Sequence, residues 1–391
     1  MKSVAIKVGV IGAGSMGSGI AQLLASHGHE VVLNDIHSAQ LGRARTNIER
    51  SLKSQIERGR IDEVQARGIL NRISFAENIL AFTACELVIE AALEDLKIKQ
   101  EIFRQLEDVV TNGAILASNT SSLSIASIAA ACKRKPQRVL GMHFFNPPMV
   151  LPLVEIIPNV TTSPEIVVKA RALVESWGKV TVVAKDTPGF IVNRIARPFY
   201  GESLRILEEG IADIATIDWA LKELGGFKMG PFELMDFIGN DINYRVTESV
   251  FEALFYDPKY KPSLTQKRLV EAGHLGRKTS QGHYNYHPGA VNSEAKKDPK
   301  LGQEILMRVL CMLINEAADA LLFQIASRED IDLAMTKGVN YPKGLLAWAD
   351  ELGVKKVLSQ VEALYELYSD DRYRPSAMLK RLAKAGKSFY E

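Results

Sequence analysis

Near the start of the 391-residue chain stands Val8-Gly9-Val10-Ile11-Gly12-Ala13-Gly14-Ser15-Met16-Gly17, the most informative segment for predicting the architecture. The apolar run over residues 4–11 predicts a buried strand, and the apolar spacing after Gly17 predicts a helix. Three glycines in the pattern Gly-x-Gly-x-x-Gly join the two by a tight turn. This strand, turn and helix predict the opening of an α/β domain of the Rossmann type.

The glycines have separate physical roles in such a turn. Gly12 permits the turn, Gly14 lets a pyrophosphate approach the backbone, and Gly17 lets the helix pack closely on the strand. The helix N-terminus then offers N–H groups and a positive dipole end to an anion. We therefore predict that these glycines, with Ser15 and Met16 in the first turn of the helix, bind a dinucleotide.

A second predicted strand, residues 30–34, ends at Asp35, about 20 residues past the glycines. The carboxylate of Asp35 would accept hydrogen bonds from the ribose hydroxyls and repel a 2'-phosphate. The sequence thus predicts NAD rather than NADP. The alternative is a tight turn in an α/β domain that binds no nucleotide.

Composition excludes several classes of protein. Hydrophobic residues make up 47% of the chain, enough for a full core and two or three domains. A net charge of +2 without charged blocks predicts no nucleic-acid or membrane partner. Cys85, Cys132 and Cys311 lack metal-ligand spacing, so we expect no metal. No apolar run reaches about 20 residues and the first strand leaves no room for a leader, which predicts a cytoplasmic protein.

Strand patterns alternate with helical patterns and predict a largely parallel sheet. Further strands are expected at residues 87–91, 114–118, 139–144, 153–157 and 180–184. The polar segment 39–72 is too long for a simple crossover, and we expect it to project as a helical hairpin. Such an arm either covers a substrate or is a solvated helical pair.

The alternation stops at Asp186-Thr187-Pro188-Gly189-Phe190, where helical patterns begin. Residues 202–239 and 316–353 then match at a constant offset of 114, with ten identities and no gap. Residues 282–301 are polar and are predicted to be a linker. We predict three domains: a Rossmann domain at 1–185, a helical domain at 186–286, and a second, degenerate helical copy at 302–391.

His143 is the candidate acid–base residue, because oxidation of a secondary alcohol needs a base that titrates near neutral pH. It ends one predicted strand, where open α/β sheets place ligands, and Glu155 ends the next. A carboxylate there would fix the tautomer of the ring and stabilise the imidazolium. The alternative is a histidine that only fills the core.

Over about residues 4–286 the sequence resembles the L-3-hydroxyacyl-CoA dehydrogenase family. The resemblance implies a Rossmann domain followed by a helical domain, and NAD-dependent oxidation of (S)-3-hydroxyacyl-CoA to 3-oxoacyl-CoA. It rests on Gly12 to Gly17, Ser118-Asn119-Thr120-Ser121-Ser122-Leu123, Gly141 to Pro147, Leu153-Val154-Glu155 and Asp186 to Arg194.

The resemblance also implies residue roles. It makes His143 the acid–base residue and Glu155 its orienting partner, with Ser121 and Asn193 contacting the reacting oxygen. The alternatives for the last two are a helix N-cap at Ser121 and a turn or cap bond at Asn193. Four residues are implied to contact the dinucleotide: Glu94, Lys99, Asn119 and Asn146. Glu94 and Lys99 would otherwise be ordinary surface charges.

Ser51 and Arg58 fall where the family's helical arm touches CoA, although some members have a lysine at the position of Arg58. Many single-copy members dimerise through the helical domain. The second copy here lacks an equivalent of Asn193 and is expected to replace or enlarge that interface. A homodimer and a chain that pairs its own two copies both stay open.

The two-copy layout and the run 177–198 are similar to the family's enzymes of bacterial phenylacetate breakdown. This implies a dicarboxylic substrate such as 3-hydroxyadipyl-CoA, while short substrates such as 3-hydroxybutyryl-CoA stay open. Arg194 or Arg197 would meet the far carboxylate, or either would form an interface ion pair. Two rival functions are a free hydroxyacid dehydrogenase of the lambda-crystallin type and a non-catalytic nucleotide-binding protein.

Overall fold

The computed structural model describes residues 5–391, so the expectations for Met1-Lys2-Ser3 and for Val4 in the first strand lie outside the described residues. The described residues form two compact units, the first ending at Thr187 and the second running from Pro188 to Glu391. The first contains a sheet with helices, and the second is built from helices.

The sheet of the first unit has eight strands in the order β3-β2-β1-β4-β5-β6-β7-β8. All neighbours are parallel except β6 and β7, since residues 145–152 are too few for a parallel crossover. Every predicted strand is present, and the sequence analysis missed only β3. The strands are β1 (Lys7–Ile11), β2 (Glu30–Asn34), β3 (Ile73–Ala76), β4 (Leu87–Glu90), β5 (Ile115–Ser118), β6 (Val139–Phe144), β7 (Leu153–Pro158) and β8 (Val180–Val183).

Helices of the first unit include the predicted hairpin, α2 and α3. Leu41, Ala44, Ile48 and Leu52 along one face of α2 are buried in the same core as the strands, whereas residues 57–60 at the turn of the hairpin are exposed. The hairpin is therefore a packed, amphipathic pair. The helices are α1 (Ser15–Ser26), α2 (Ser38–Glu57), α3 (Glu63–Asn71), α4 (Leu96–Val109), α5 (Ile125–Ala129) and α6 (Pro164–Ser176).

The second unit contains eleven α-helices. The predicted linker 282–301 is only partly one, since residues 287–298 carry no helix or strand but Gly282 lies against Asp236 and α13 begins at Pro299. The helices are α7 (Val192–Ile195), α8 (Arg197–Glu208), α9 (Ile214–Trp219), α10 (Pro231–Ile238), α11 (Asn240–Ala253), α12 (Leu264–Glu271), α13 (Pro299–Leu322), α14 (Arg328–Gly338), α15 (Leu345–Leu352), α16 (Val354–Tyr368) and α17 (Ala377–Ala385). No helix within residues 5–391 is long and apolar enough to cross a bilayer.

The repeated aspartates hold equivalent helices in the two copies. Asp218 accepts hydrogen bonds from two backbone N–H groups at the start of α10, each at 2.9 Å. Asp332 does the same at the start of α15, at 2.8 and 2.9 Å. Glycine recurs at 230 and 344 because a Cβ there would lie 2.2 and 2.3 Å from the aspartate carboxyl carbon. The identities in the repeat thus preserve a helix-capping device.

The two copies meet through reciprocal buried ion pairs. Arg194 Nε lies 2.7 Å from Glu316 Oε1, and Arg308 Nε lies 3.1 Å from Glu202 Oε2. The two arginines are 114 residues apart, as are the two glutamates, so each copy offers the same pair of residues to the other. Such reciprocity is the pattern of a twofold interface between identical subunits.

A second repeated aspartate ties the end of each copy to its helices. Asp236 accepts hydrogen bonds from the backbone N–H groups of His283 and Tyr284, both at 2.9 Å, and from the side chains of Asn240 and Tyr286. Asp350, its counterpart, accepts the N–H groups of residues 389 and 390 at 2.8 and 3.1 Å. Each copy is closed by the chain returning to this carboxylate.

We predict that Asp236→Ala lowers the free energy of unfolding of the helical unit by about 2–3 kcal/mol, because it leaves buried donors without an acceptor. Urea titration followed by circular dichroism measures the change. Asp371→Ala, at an exposed position, is the control. A loss for Asp236→Ala no larger than that of the control would contradict the anchoring role.

Candidate active site

The turn between β1 and α1 has the shape that a dinucleotide requires. Gly12 has φ of +91°, and a Cβ there would lie 2.5 Å from the carbonyl oxygen of Ala91. A Cβ on Gly17 would lie 1.8 Å from the carbonyl oxygen of Gly12, so helix and strand touch backbone to backbone. At Gly14, by contrast, a Cβ would meet no atom within 4 Å. The backbone is therefore open at Gly14, where a pyrophosphate approaches.

The first turn of α1 is suited to an anion. Gly14 is the N-cap and supplies no side-chain hydrogen bond, and the first turn contains no acidic residue. Ser15 is exposed and Met16 half-buried. The backbone N–H groups at this helix end are thus not capped by a side chain, and they fit the pyrophosphate of NAD.

Asp35 lies at the end of β2, beside this turn. Its Oδ2 accepts the backbone N–H of Ala13 at 2.9 Å, and its Oδ1 accepts that of His37 at 3.0 Å. The carboxylate is thereby tied to the middle of the glycine turn. This placement fits the predicted contact with the adenosine ribose.

Lys99 is not a surface charge, since only 1% of its side chain is exposed. Its Nζ lies 2.6 Å from Glu90 Oε1 and 3.3 Å from Glu94 Oε2. Glu90 is fully buried at the end of β4 and also accepts the hydroxyl of Ser118 at 2.6 Å. The ammonium of Lys99 is therefore neutralised inside the unit, and a contact with the dinucleotide stays a prediction.

Glu94 connects this buried pair to the segment that carries Ser121. Its Oε1 accepts the Thr120 hydroxyl at 2.6 Å, the Ser121 N–H at 3.1 Å and the Ser122 hydroxyl at 3.0 Å. Burial raises the pKa of Glu94, but Lys99 and these hydrogen bonds outweigh burial, so the pKa lies below the ordinary value. The resulting carboxylate fixes the backbone and, at 3.4 Å, the hydroxyl of Ser121.

The cap alternative for Ser121 is wrong, because Ser124 is the N-cap of α5 and accepts the N–H of Ser127 at 3.2 Å. The same helix end is held by Asp186, whose carboxylate accepts the N–H groups of Ile125 and Ala126 at 2.9 and 2.7 Å. Ser121 lies before this helix and is half-buried.

His143 and Glu155 are directly opposite each other on β6 and β7. His143 Nδ1 lies 2.6 Å from Glu155 Oε2, with the histidine 6% exposed and the glutamate fully buried. The ring of Phe145 lies with its centroid 4.6 Å from that of the imidazole. A buried carboxylate bonded to Nδ1 selects the tautomer of the ring and stabilises its protonated form.

Asn119 is close to this pair, since its Oδ1 accepts the backbone N–H of Phe144 at 2.8 Å. Asn146 is exposed, just after β6. In the hairpin, the Ser51 hydroxyl accepts a hydrogen bond from Gln22 at 3.1 Å, and Arg58 is exposed at the end of α2.

Asn193 lies in the helical unit, within α7, and is half-buried. The next residue, Arg194, is taken up by its ion pair with Glu316, which is the interface alternative of the sequence analysis. Arg194 is therefore ruled out as the partner of a substrate carboxylate.

The sequence analysis missed Glu90, Thr120 and the capping role of Asp186. Glu90 could have been predicted as a site residue, because it is a charged residue at the end of an apolar strand. Thr120 and Asp186 gave none, since their partners lie 26 and about 60 residues away in the chain. Within residues 5–391 no group of three or more histidine, cysteine or acidic residues has the arrangement of a metal site.

A Rossmann unit with an open glycine turn defines a dinucleotide-binding protein, and a histidine–carboxylate pair on the same sheet is suited to a dehydrogenase. Residues 7–187 match the family model described as the NAD binding domain of 3-hydroxyacyl-CoA dehydrogenase. Residues 189–286 and, again, 305–389 match the model of its C-terminal domain.

The chain is 38% identical to a 3-hydroxyadipyl-CoA dehydrogenase of Escherichia coli (strain K12), over 96% of this chain and 97% of the relative. It is 41% identical to a 3-hydroxybutyryl-CoA dehydrogenase of Bradyrhizobium diazoefficiens, over 73% of this chain and 97% of the relative. A crystal structure of a 3-hydroxybutyryl-CoA dehydrogenase from Escherichia coli K12 superposes with a TM-score of 0.91, covering both chains fully at 36% identity.

The chain therefore belongs to the 3-hydroxyacyl-CoA dehydrogenase family. It is an NAD-dependent 3-hydroxyacyl-CoA dehydrogenase, and its substrates are acyl-CoA thioesters.

We predict that Asp35→Ala reduces the preference for NADH over NADPH at least tenfold, because it removes both the acceptor for the ribose hydroxyls and the repulsion of a 2'-phosphate (about 1.4 kcal/mol or more). The ratio of kcat/KM for the two cofactors measures this. Glu30→Ala, at the opposite end of β2, is the control. A wild-type enzyme that already prefers NADPH would refute the role of Asp35.

Proposed function

We propose that, within this activity, His143 is the acid–base residue that exchanges a proton with the oxygen on carbon 3 of the acyl chain. The observation that carries the proposal is the 2.6 Å contact between His143 Nδ1 and Glu155 Oε2. With Nδ1 bonded to the carboxylate, Nε2 is the ring atom that takes the hydroxyl proton during oxidation and returns it during reduction.

Glu155 acts through His143. A fully buried carboxylate is costly unless it is paired, so the imidazole and Glu155 hold each other in place. When the ring gains a proton, the carboxylate neutralises the new charge inside the sheet. We assign Glu155 as a positioning residue for this reason.

Ser121 and Asn193 are proposed to contact the reacting oxygen. The Ser121 hydroxyl both donates and accepts, so it serves the alcohol and the ketone alike. The Asn193 amide donates to the carbonyl oxygen, on which negative charge develops as the ketone is reduced. Support for Ser121 comes from the Glu94 carboxylate, which fixes its backbone and approaches its hydroxyl.

The chemistry that bound NAD would supply is the acceptance of hydride from carbon 3. Gly12, Gly14, Ser15, Met16 and Gly17 would hold its pyrophosphate, and Asp35 its adenosine ribose. Support comes from the open backbone at Gly14 and the uncapped start of α1. The remaining proposed contacts come from residues at or near the carboxyl ends of β4, β5 and β6: Glu94, Lys99, Asn119 and Asn146.

The proposed substrate is a short or dicarboxylic (S)-3-hydroxyacyl-CoA, with Ser51 and Arg58 on the CoA. The Escherichia coli relative that matches nearly the whole chain is a 3-hydroxyadipyl-CoA dehydrogenase, which supports a dicarboxylic substrate and a place in phenylacetate breakdown. A solved structure that covers the whole chain is that of a 3-hydroxybutyryl-CoA dehydrogenase, which supports a short substrate. A cytoplasmic location stays a prediction.

We also propose that the second helical copy takes the place of a partner subunit. The reciprocal pairs Arg194–Glu316 and Arg308–Glu202 have the form of a twofold interface, but both lie within one chain. We keep the three domain limits of the sequence, 1–185, 186–286 and 302–391, as part of this proposal. A further homodimer, through another surface, is compatible with it.

The experiment that tests the proposed function follows NADH consumption by the purified protein with acetoacetyl-CoA. We expect rapid oxidation of NADH with this thioester, and little with free acetoacetate or with NADPH. His143→Gln should lower kcat by about 10²-fold or more, because the proton donor is lost, while NADH affinity measured by calorimetry barely changes.

His27→Gln, at the end of α1, is the matched control and should leave kcat unchanged. Turnover of free acetoacetate at the rate of the thioester would favour the free-acid alternative. Unchanged turnover in His143→Gln would remove His143 from the mechanism.

A further inference from the structure

The helical unit contains one buried arginine without a carboxylate partner among the described residues. Arg197, the first residue of α8, is 6% exposed. Its Nε donates to the carbonyl oxygen of Asn193 at 2.8 Å, and its Nη1 donates to the Thr247 hydroxyl at 3.0 Å. Both partners are uncharged, so the positive charge of the guanidinium is not neutralised.

Each of the other buried arginines of this unit has a carboxylate partner. Arg194 pairs with Glu316, and Arg205 and Arg308 both pair with Glu202. Burial lowers the pKa of Arg197, whereas the pKa of Arg194 lies above the ordinary value because the attraction of Glu316 outweighs burial. Arg197 has no such carboxylate partner among the described residues.

Two phenols lie beside this guanidinium. The Arg197 guanidinium carbon lies 5.0 Å from the centroid of the Tyr200 ring. Burial raises the pKa of Tyr341 against the opposing effect of the Arg197 charge, and its hydroxyl is buried without a hydrogen-bond partner within the described part of the chain. Three potential donors thus come together with no anion to receive them.

Packing alone does not require this polar group. With the offset of 114, the positions of Arg197, Tyr200 and Thr247 correspond to Cys311, Ile314 and Val361, and Tyr341 corresponds to Phe227. The offset holds here because the reciprocal ion pairs obey it and because α11 and α16 begin at residues 240 and 354. The equivalent place in the fold is therefore filled by buried apolar side chains.

The group lies next to the proposed contact of the reacting oxygen. Arg197 begins α8, four residues after Asn193 in α7, and its Nε donates to the backbone carbonyl of Asn193 at 2.8 Å, so the guanidinium lies within a few ångströms (about 6 Å or less) of that residue. In a six-carbon dicarboxylic chain, a similar length separates carbon 3 from the terminal carboxylate. Because the Arg197 guanidinium bonds the backbone carbonyl of Asn193, a chain that reaches the half-buried Asn193 amide comes close to the guanidinium.

We propose that Arg197, with the hydroxyls of Tyr200 and Tyr341, binds the terminal carboxylate of a dicarboxylic 3-hydroxyacyl-CoA. This rests on the proposed role of Asn193 at the reacting oxygen. The second helical copy supplies Tyr341, so it contributes to substrate choice as well as to the interface. The bound carboxylate neutralises Arg197 and accepts the hydrogen bond that Tyr341 lacks.

The test compares two 3-oxoacyl-CoA thioesters of equal chain length, 3-oxoadipyl-CoA and 3-oxohexanoyl-CoA, which differ by a carboxylate in place of a methyl group. We expect Arg197→Met to lower kcat/KM for 3-oxoadipyl-CoA about 10- to 100-fold, the loss typical of a hydrogen bond to a charged group. The value for 3-oxohexanoyl-CoA should stay within about threefold. Arg197→Lys should recover part of the loss.

Tyr341→Phe, which installs the residue type found at 227, should lower the ratio of the two kcat/KM values about three- to tenfold. It also keeps the test decisive if Arg197→Met does not fold. The matched control is Tyr373→Phe, whose buried hydroxyl serves Arg308 and Glu202 and which should leave the ratio unchanged.

An equal loss on both thioesters in Arg197→Met, or a wild-type enzyme that does not favour the dicarboxylic chain, would overturn the proposal and leave the reaction class intact. Failure of the wild-type enzyme to reduce both of these thioesters and acetoacetyl-CoA would instead overturn the proposed function.

Discussion

The antiparallel pairing of β6 with β7 is the constraint on which the proposed chemistry depends. It sets His143 opposite Glu155 in an otherwise parallel sheet. Because side chains alternate between faces, a slip of one residue in this register would turn Glu155 to the other side of the sheet. The short connection after β6 enforces the antiparallel return, so the position of the carboxylate is a property of the topology rather than of a mobile loop.

Buried ion pairs support both the proposed site and the interface of the helical copies. In the first unit, Glu90 and Glu94 surround Lys99, and the same Glu94 holds the Ser121 segment. In the second, reciprocal arginine–glutamate pairs join the two copies. Removing one partner of such a pair leaves an uncompensated buried charge, which is strongly destabilising. Among the buried arginines of the helical unit, Arg197 is the one without a carboxylate partner in the described part of the chain, and this is why we propose it as a contact of the substrate.

Local sequence patterns predicted most of the strands and the glycine turn, but they did not predict contacts between residues far apart in the chain. The glycine turn, the position of Asp35 and seven strands could be predicted, because each depends on residues close together in the chain. The order of the predicted strands also suggested the His143–Glu155 pair. Four-residue β3 was missed because it offers no clear alternation. The partner of Arg194 lies 122 residues away in the chain, and the Thr120 that shares Glu94 with Lys99 lies 26 residues from that glutamate. The repeat was visible as identities, but only the structure shows that its aspartates cap helices.

Whether Glu155 acts through His143 is tested by a double-mutant cycle on kcat with His143→Gln, Glu155→Gln and the double variant. If Glu155 acts only by holding and neutralising His143, it has no further effect once His143 is gone, and the double variant should be as slow as His143→Gln alone. If the two losses multiply in the double variant, Glu155 acts independently of His143, which contradicts its role as a positioning residue for the imidazole.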